Sequence, residues 1–175
     1  MLSWLRARSQ AARTATDLYG SIVTAARREA FYSEHGIPDT PDGRFAMVAV
    51  HMYLVLERLQ REGAPGQALA RALVEQFVTD MDDCMREMGI GDLTVPRKVK
   101  KAAGAIYESA PEFRKAAAAG GQAALAEAVH QKLLSFAPRE SANVVASYMQ
   151  RAATALEAQP SSSLMAGHVA FPDIG

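Results

Sequence analysis

The apolar residues of this chain recur at a spacing near 3.6 residues along most of its length, which is the pattern of helices with one buried face. No run shows the alternation of β-branched and polar residues that a half-buried strand needs. The 175 residues are enough to bury one hydrophobic core without a metal or a disulfide. The sequence therefore predicts an all-α fold, a single compact multi-helix domain of about six to seven helices.

Glycines, prolines and capping residues set the expected helix limits. The first helix is predicted over residues 16–32. The second begins after Asp39 or Thr40 as its N-cap and is apolar on most sides, so it is expected at the centre of the bundle. A third helix is predicted to end at Gly89, which favours the left-handed C-terminal cap.

Beyond that turn, Thr94 is the expected N-cap of a fourth helix, and Pro111 is expected to open a separate short one. Two further helices follow. These limits divide the chain into a helical domain over residues 16–158, a basic N-terminal segment over residues 1–15, and a flexible C-terminal tail over residues 159–175 that has turn formers and no helical period.

The N-terminal segment combines cations with apolar side chains. Arg6 and Arg8 lie close to Trp4 and Leu5, and no acidic residue precedes Asp17. Such a composition suits contact with an anionic membrane surface or an organelle presequence, and it is also compatible with a frayed, solvated terminus.

Charge and cysteine content limit the function classes. The formal net charge is zero, so the global basic footprint of a DNA-binding protein is absent. The one cysteine, Cys84, is in register with an apolar helical stripe that includes Met81 and Met88, which predicts an inert thiol. His51 lies in the apolar second helix and is expected to be a hydrogen-bonded core residue. No recognisable catalytic or nucleotide motif is present, and the sequence assigns no catalytic residue, metal or cofactor.

An acidic helical face offers an alternative function. Asp80, Asp83 and Glu87 follow one another at three- and four-residue spacing, so they share a face where a divalent cation could be held. On this hypothesis the protein is a small all-α enzyme or binding protein for an isoprenoid or phosphorylated ligand. A solvated acidic face explains the same residues, and Arg86 is placed to pair with Asp82.

A basic run follows immediately, with Arg97, Lys98, Lys100 and Lys101 just after Pro96. A helix N-terminus disfavours cations, so helix stability does not explain this run. The cations would either pair with the acidic face of the preceding helix or meet an external partner such as lipid headgroups or ribosomal RNA phosphates.

Three segments together resemble the ubiquinol-cytochrome c chaperone family. They are LYGSIVTAARREAFY at residues 18–32, PDTPDGRFAMVAVHMYLVL at residues 38–56 and DMDDCMREMGIGDLTVPRKVKK at residues 80–101. The stretch ALAEAVHQKLLSF at residues 124–136 is a looser match.

This resemblance implies a non-enzymatic assembly chaperone of the ubiquinol-cytochrome c reductase (bc1) complex. Such a protein would bind newly made cytochrome b or its nascent chain and keep it competent for haem insertion. The ribosome and a small partner protein are further partners that it implies. The short, alanine- and arginine-rich chain without a convincing long presequence favours a bacterial version, peripheral on the cytoplasmic face of the inner membrane. In a eukaryote the corresponding side is the mitochondrial matrix.

Charge and resemblance together give the hypothetical partner-binding residues. They lie on both sides of the turn between the third and fourth helices, with one more at the start of the second helix: Asp82, Asp83, Arg86, Arg97, Lys98, Lys101 and Arg44. Arg44 is also placed to pair with Asp39 or Asp42.

Overall fold

The computed structural model describes residues 2–174, with side chains from residue 8 onward, and this part of the chain contains helices and no strand. In chain order the helices are α1 (Leu2–Ala26), α2 (Ala30–Ser33), α3 (Pro41–Leu59), α4 (Gly63–Glu87), α5 (Val95–Ala118), α6 (Gln122–Lys132), α7 (Arg139–Ala158) and α8 (Ser161–Met165), with a 3₁₀ turn at Gln60–Glu62 between α3 and α4. Six of them have eleven residues or more. The predicted all-α class and number of helices are confirmed.

Helix α3 lies at the centre of the bundle, as its apolar composition predicts. Thr40 is its N-cap, because the Thr40 hydroxyl accepts a hydrogen bond from the Gly43 amide at 3.2 Å. Pro41 follows in the first turn, where a missing N–H costs nothing. Residues 46–55 are all buried, and α3 packs against α1, α4, α5 and α7.

His51 of α3 and Tyr148 of α7 form a polar pair in the core. The His51 Nδ1–H donates to the Met47 carbonyl at 2.7 Å, and the Tyr148 hydroxyl donates to Nε2 at 2.8 Å. Phe31 of α2 meets the rings of both residues edge-on, at centroid distances of 5.9 and 5.2 Å. The predicted core imidazole is confirmed, and burial lowers the pKa of His51 to about 4.

Helix α1 differs from the prediction of residues 16–32 at both ends. It begins at Leu2, since the basic segment contains no helix breaker and Ala15 already belongs to the buried face. At the other end, the Tyr32 hydroxyl donates to the carbonyl of Ala26 at 2.8 Å. That bond satisfies one of the terminal carbonyls, so the helix can stop there and α2 can form separately.

Helix α5 runs through Pro111, where a separate helix is expected from the sequence. A proline inside a helix removes a hydrogen bond and crowds the preceding turn, at a cost of about 3 kcal/mol. Pro111 lies on the exposed side, and Ala110, Phe113 and Ala116 are buried on the other. Burial of these side chains offsets the cost, so α5 continues.

The chain after α7 is docked on the bundle. It contains α8, which the turn formers of residues 159–175 do not predict, and Leu164 of that helix is fully buried. Gln159 and Ala170 exchange two hydrogen bonds, at 2.7 and 3.0 Å. Distant arginines bond to backbone carbonyls of the last residues: Arg28 to Phe171 at 3.2 Å and to Pro172, and Arg151 to Ile174.

Candidate functional site

The corner between α4 and α5 carries most of the partner-binding residues that the sequence suggests. Helix α4 ends in a Schellman motif: the Gly89 amide donates to the Arg86 carbonyl at 2.9 Å and the Ile90 amide to the Met85 carbonyl at 3.1 Å. Gly89 has a φ of 77°, so its predicted left-handed cap is confirmed.

Replacing Gly89 by Ala is expected to destabilise the protein by about 1 kcal/mol, because a Cβ disfavours the left-handed conformation. Gly91→Ala is the matched control, since Gly91 lies in the same turn without a positive φ and with open space around its Cβ position. Urea unfolding of both variants measures the difference. Equal stability of the two would contradict this account of the turn.

The start of α5 departs from the prediction. Thr94 has helical backbone angles and its side chain makes no capping hydrogen bond. Its amide and that of Val95 instead donate to the Gly91 carbonyl, at 2.8 and 3.2 Å. The preceding turn therefore leads directly into α5 without a side-chain cap.

Arg86 holds the acidic side of the corner together. It bonds to the Asp82 carboxylate at 2.6 Å and also pairs with Asp92 in the turn, so it connects α4 to the loop. The hydrogen bond that the guanidinium donates to the Asp82 carboxylate raises the pKa of Arg86. Within the described residues, Asp83 and Glu87 form no ion pair and no side-chain hydrogen bond. These two carboxylates are exposed and available to a partner.

The basic side of the corner is exposed and carries charges without internal partners. Arg97, Lys98, Lys100 and Lys101 are all exposed. Among residues 8–174 none of them lies within 4.0 Å of an acidic group. Within that range the structure therefore does not contain the pairing between these cations and the acidic face of α4. Contact with an external partner is the explanation that remains.

Two apolar side chains stand out at the same corner. Leu93 is 99% exposed, and Met88 is 55% exposed although the sequence places it on the inner stripe of α4. Met88 follows the last residue of the helix, where the chain has already turned away from the core. Leu93 is not among the residues predicted from the sequence to bind a partner. The sequence signal that could identify it is a lone leucine in GIGDLT, a turn without helical period.

The remaining candidate residues lie outside this corner. Arg44 pairs with Asp39 at 2.7 Å at the start of α3, which selects Asp39 over Asp42 as its partner. The side chains of Trp4, Leu5 and Arg6 lie outside the described residues. Arg8, the fourth proposed membrane contact, is exposed.

One carboxylate of the acidic face proposed for a metal or a phosphorylated ligand is already hydrogen-bonded within the protein. Asp80 accepts a hydrogen bond from the Tyr19 hydroxyl of α1 at 2.7 Å, and burial together with this bond raises the pKa of Tyr19. In the described part of the chain, no group of three His, Cys, Asp or Glu side chains is arranged to hold a metal ion. Burial raises the pKa of Cys84, as expected of an inert thiol.

Two surface cavities lie away from that face. One, of about 130 Å³, is lined by residues of α3, α4 and α5 that include Tyr53, Tyr107 and Arg114. The other, of about 440 Å³, lies between the α2 region and the C-terminal segment, beside His35 and Asp173. Neither borders Asp80, Asp83 or Glu87. Within residues 2–174, no helix has the length and apolar content needed to cross a bilayer.

Comparison with known proteins gives three matches. The family model described as ubiquinol-cytochrome C chaperone matches residues 33–171. The crystal structure of the Cbp3 homolog from Brucella abortus is similar over 99% of this chain and 97% of its own, at 31% identity and a TM-score of 0.84. Ubiquinol-cytochrome-c reductase complex assembly factor 1 of Xenopus laevis is 24% identical over 90 residues, which span 51% of this chain and 45% of that protein.

Proposed function

Because the chain belongs to the ubiquinol-cytochrome c chaperone family, we propose that it is a non-enzymatic assembly chaperone of the bc1 complex that binds newly made cytochrome b. The match of the family model to residues 33–171 carries this proposal. The similarity to the Brucella abortus structure over nearly the whole chain supports it, since the two share the complete domain.

Docking of the partner is assigned to the α4–α5 corner. Asp83 on one side and Arg97, Lys98 and Lys101 on the other present charges that have no internal ion pair, beside the exposed Leu93. Charges arranged this way steer and orient a partner, and exposed apolar side chains gain free energy when it covers them. Asp82 and Arg86 act indirectly here, by fixing the turn.

We further propose that the protein is bacterial and acts at the cytoplasmic face of the inner membrane, where cytochrome b is inserted. A eukaryotic version would act on the matrix side of the mitochondrial inner membrane. Ribosome contact and a small partner protein are part of the same proposal. In this arrangement residues 16–158 form the chaperone domain, and the segment over residues 1–15 is an additional interfacial contact.

Affinity capture of the tagged full chain from its native membranes tests the function. We expect cytochrome b among the recovered proteins, and we expect deletion of the gene to remove the bc1 haem signal from the same cells. Lys98→Glu with Lys101→Glu is expected to lower recovery of cytochrome b about tenfold, because reversed charges repel the partner that the native charges attract.

The control is Lys115→Glu with Lys132→Glu. These lysines are also exposed and without ion pairs in the described residues, and the substitution makes the same change in net charge away from the corner. Both double variants should keep the helicity of the wild type and differ from it in melting temperature by only a few degrees, since a charge at a helix end contributes about 0.3 to 1 kcal/mol. Normal bc1 levels after gene deletion, with no cytochrome b recovered, would refute the proposed function and direct attention to the carboxylate face and small ligands.

A further inference from the structure

The α4–α5 corner combines two exposed apolar side chains in the turn with four exposed cations at the start of α5. Leu93 is 99% exposed and Met88 is 55% exposed at the turn itself. Arg97, Lys98, Lys100 and Lys101 follow in the first two turns of α5. We propose that this corner binds the surface of an anionic lipid bilayer, with Leu93 and Met88 at the acyl boundary and the cations among the headgroup phosphates. The inference rests on the proposed function for the choice of a membrane as the setting.

The arrangement of the cations around α5 fits contact with a planar surface. At 3.6 residues per turn, Arg97, Lys100 and Lys101 lie on the side of the helix opposite Val95, Val99 and Ala102, and Lys98 lies on the flank between the two sides. Val95, Val99 and Ala102 are buried, so they fix the rotation of α5 on the bundle. Three of the cations consequently project away from the core and Lys98 is exposed at the flank, and lysine and arginine stems can extend further to reach phosphates.

Lipid fits this corner better than the two other polyanions. Single-stranded nucleic acid is held by aromatic side chains that stack on bases, and no aromatic residue lies between residues 78 and 106. An acidic protein partner would pair with the cations but would also need an apolar pocket placed for Leu93, whereas a bilayer offers acyl chains directly beside its headgroup phosphates. Apolar residues flanked by lysine and arginine are characteristic of segments that lie in the membrane interface.

The corner is separate from the basic start of the chain. Thr16 bonds to Gln76 at 3.2 Å and Tyr19 to Asp80 at 2.7 Å, so α1 and α4 run side by side in the same direction. The start of α1 therefore lies toward the start of α4, and the corner lies at the other end of this 25-residue helix, which is about 37 Å long. Membrane contact at the corner does not depend on Trp4 or Leu5.

Flotation of the full chain with vesicles tests the proposal. The probes are vesicles of phosphatidylcholine with and without phosphatidylglycerol, at low and at high salt. We expect binding to the anionic vesicles alone, and weaker binding at high salt because the headgroup charges are screened. Lys98→Glu with Lys101→Glu should lower the partition coefficient about 25-fold or more, since each cation near an anionic surface contributes about fivefold.

Leu93→Ser separates the apolar contribution from the charge. It should lower the partition coefficient about fivefold at every salt concentration. The substitution removes the free energy of burying the Leu93 side chain in the bilayer, which salt does not screen. The Lys115→Glu with Lys132→Glu variant should bind like the wild type, which excludes a general effect of net charge. Helicity should stay constant in all variants, since the replaced side chains are exposed.

Three results would overturn the inference. Wild-type binding by the Lys98→Glu, Lys101→Glu variant would remove the corner from the interface. The same conclusion would follow if replacing Trp4 and Leu5 by Ala abolished vesicle binding while the corner variants still bound. If the wild type does not float at all, but is retained on an acidic peptide or RNA in a corner-dependent way, the corner is a protein or nucleic-acid surface. Cytochrome b recovery and bc1 levels test the proposed function separately, so the two can fail independently.

Discussion

Lowering the pH from 7 to 4 is expected to reduce the free energy of unfolding by about 3 kcal/mol through His51 alone. The His51 ring is fully buried, and its pKa falls from 6.5 to about 4 in the folded protein because burial disfavours the charged form. Between these two values the unfolded chain binds a proton that the folded chain does not. The contribution of the neutral His51 ring to the free energy of unfolding is therefore complete above pH 6.5. It declines as the pH falls and is fully lost below pH 4.

A His51→Gln variant isolates this effect from the acidic groups. Asp39, Glu62 and Glu127 have pKa values lowered by ion pairs, so they also cost stability as the pH falls, equally in both proteins. Urea unfolding at several pH values should give a stability difference between wild type and variant that shrinks by about 3 kcal/mol from pH 7 to pH 4. His168→Gln is the matched control, because it makes the same substitution at an exposed position. Parallel curves for wild type and His51→Gln would contradict the prediction.

Replacing Arg58 by Met is expected to cost about 3 kcal/mol or more, because it breaks a buried charge network from one side. Arg58 of α3 has a side chain 8% exposed and pairs with Glu62, which is 16% exposed. The guanidinium also donates to the carbonyls of Leu156 and Gln159, at 3.1 and 3.3 Å. It therefore caps the C-terminus of α7, and without it those carbonyls and the Glu62 carboxylate lose a buried partner.

The neighbouring arginine provides the matched control. Arg61 also bonds across to α7, to Glu157 at 2.6 Å, but its side chain is 65% exposed and that of Glu157 is 52% exposed. An exposed pair of this kind contributes less than about 1 kcal/mol. Chemical denaturation should rank Arg58→Met far below Arg61→Met. Similar losses for the two would mean that burial does not decide the strength of these contacts.

Features with a local cause are predictable from the sequence, both in the fold and in the candidate site. The Thr40 cap and the left-handed Gly89 each depend on residues within one or two turns, so their residue types identify them. The surroundings of His51 follow from its place in an apolar helix. Likewise, the corner between α4 and α5 is visible as a charged turn between two periodic segments.

Other features of the site depend on contacts between distant residues. The sequence pattern does not distinguish Asp80 from Asp83. In the structure the Tyr19 hydroxyl, 61 residues away in the chain, donates a hydrogen bond to Asp80, whereas Asp83 is exposed. The lysines of α5 have a plausible acidic partner nearby in the chain, and only the rotation of α5 on the bundle directs them away from it. Leu93 looks like any other apolar residue until the turn around it is folded.

The sequence by itself determined the all-α class, the central helix and the position of the charged turn, because hydrophobic period, capping and glycine conformation act over a few residues. Only the tertiary structure decided that α5 continues through Pro111, that the last residues dock on the bundle, and which charges face solvent without a partner. These outcomes depend on burial and hydrogen bonds between segments as much as 144 residues apart, as between Arg28 and Pro172. A pattern read over one or two helical turns contains no information on such pairs.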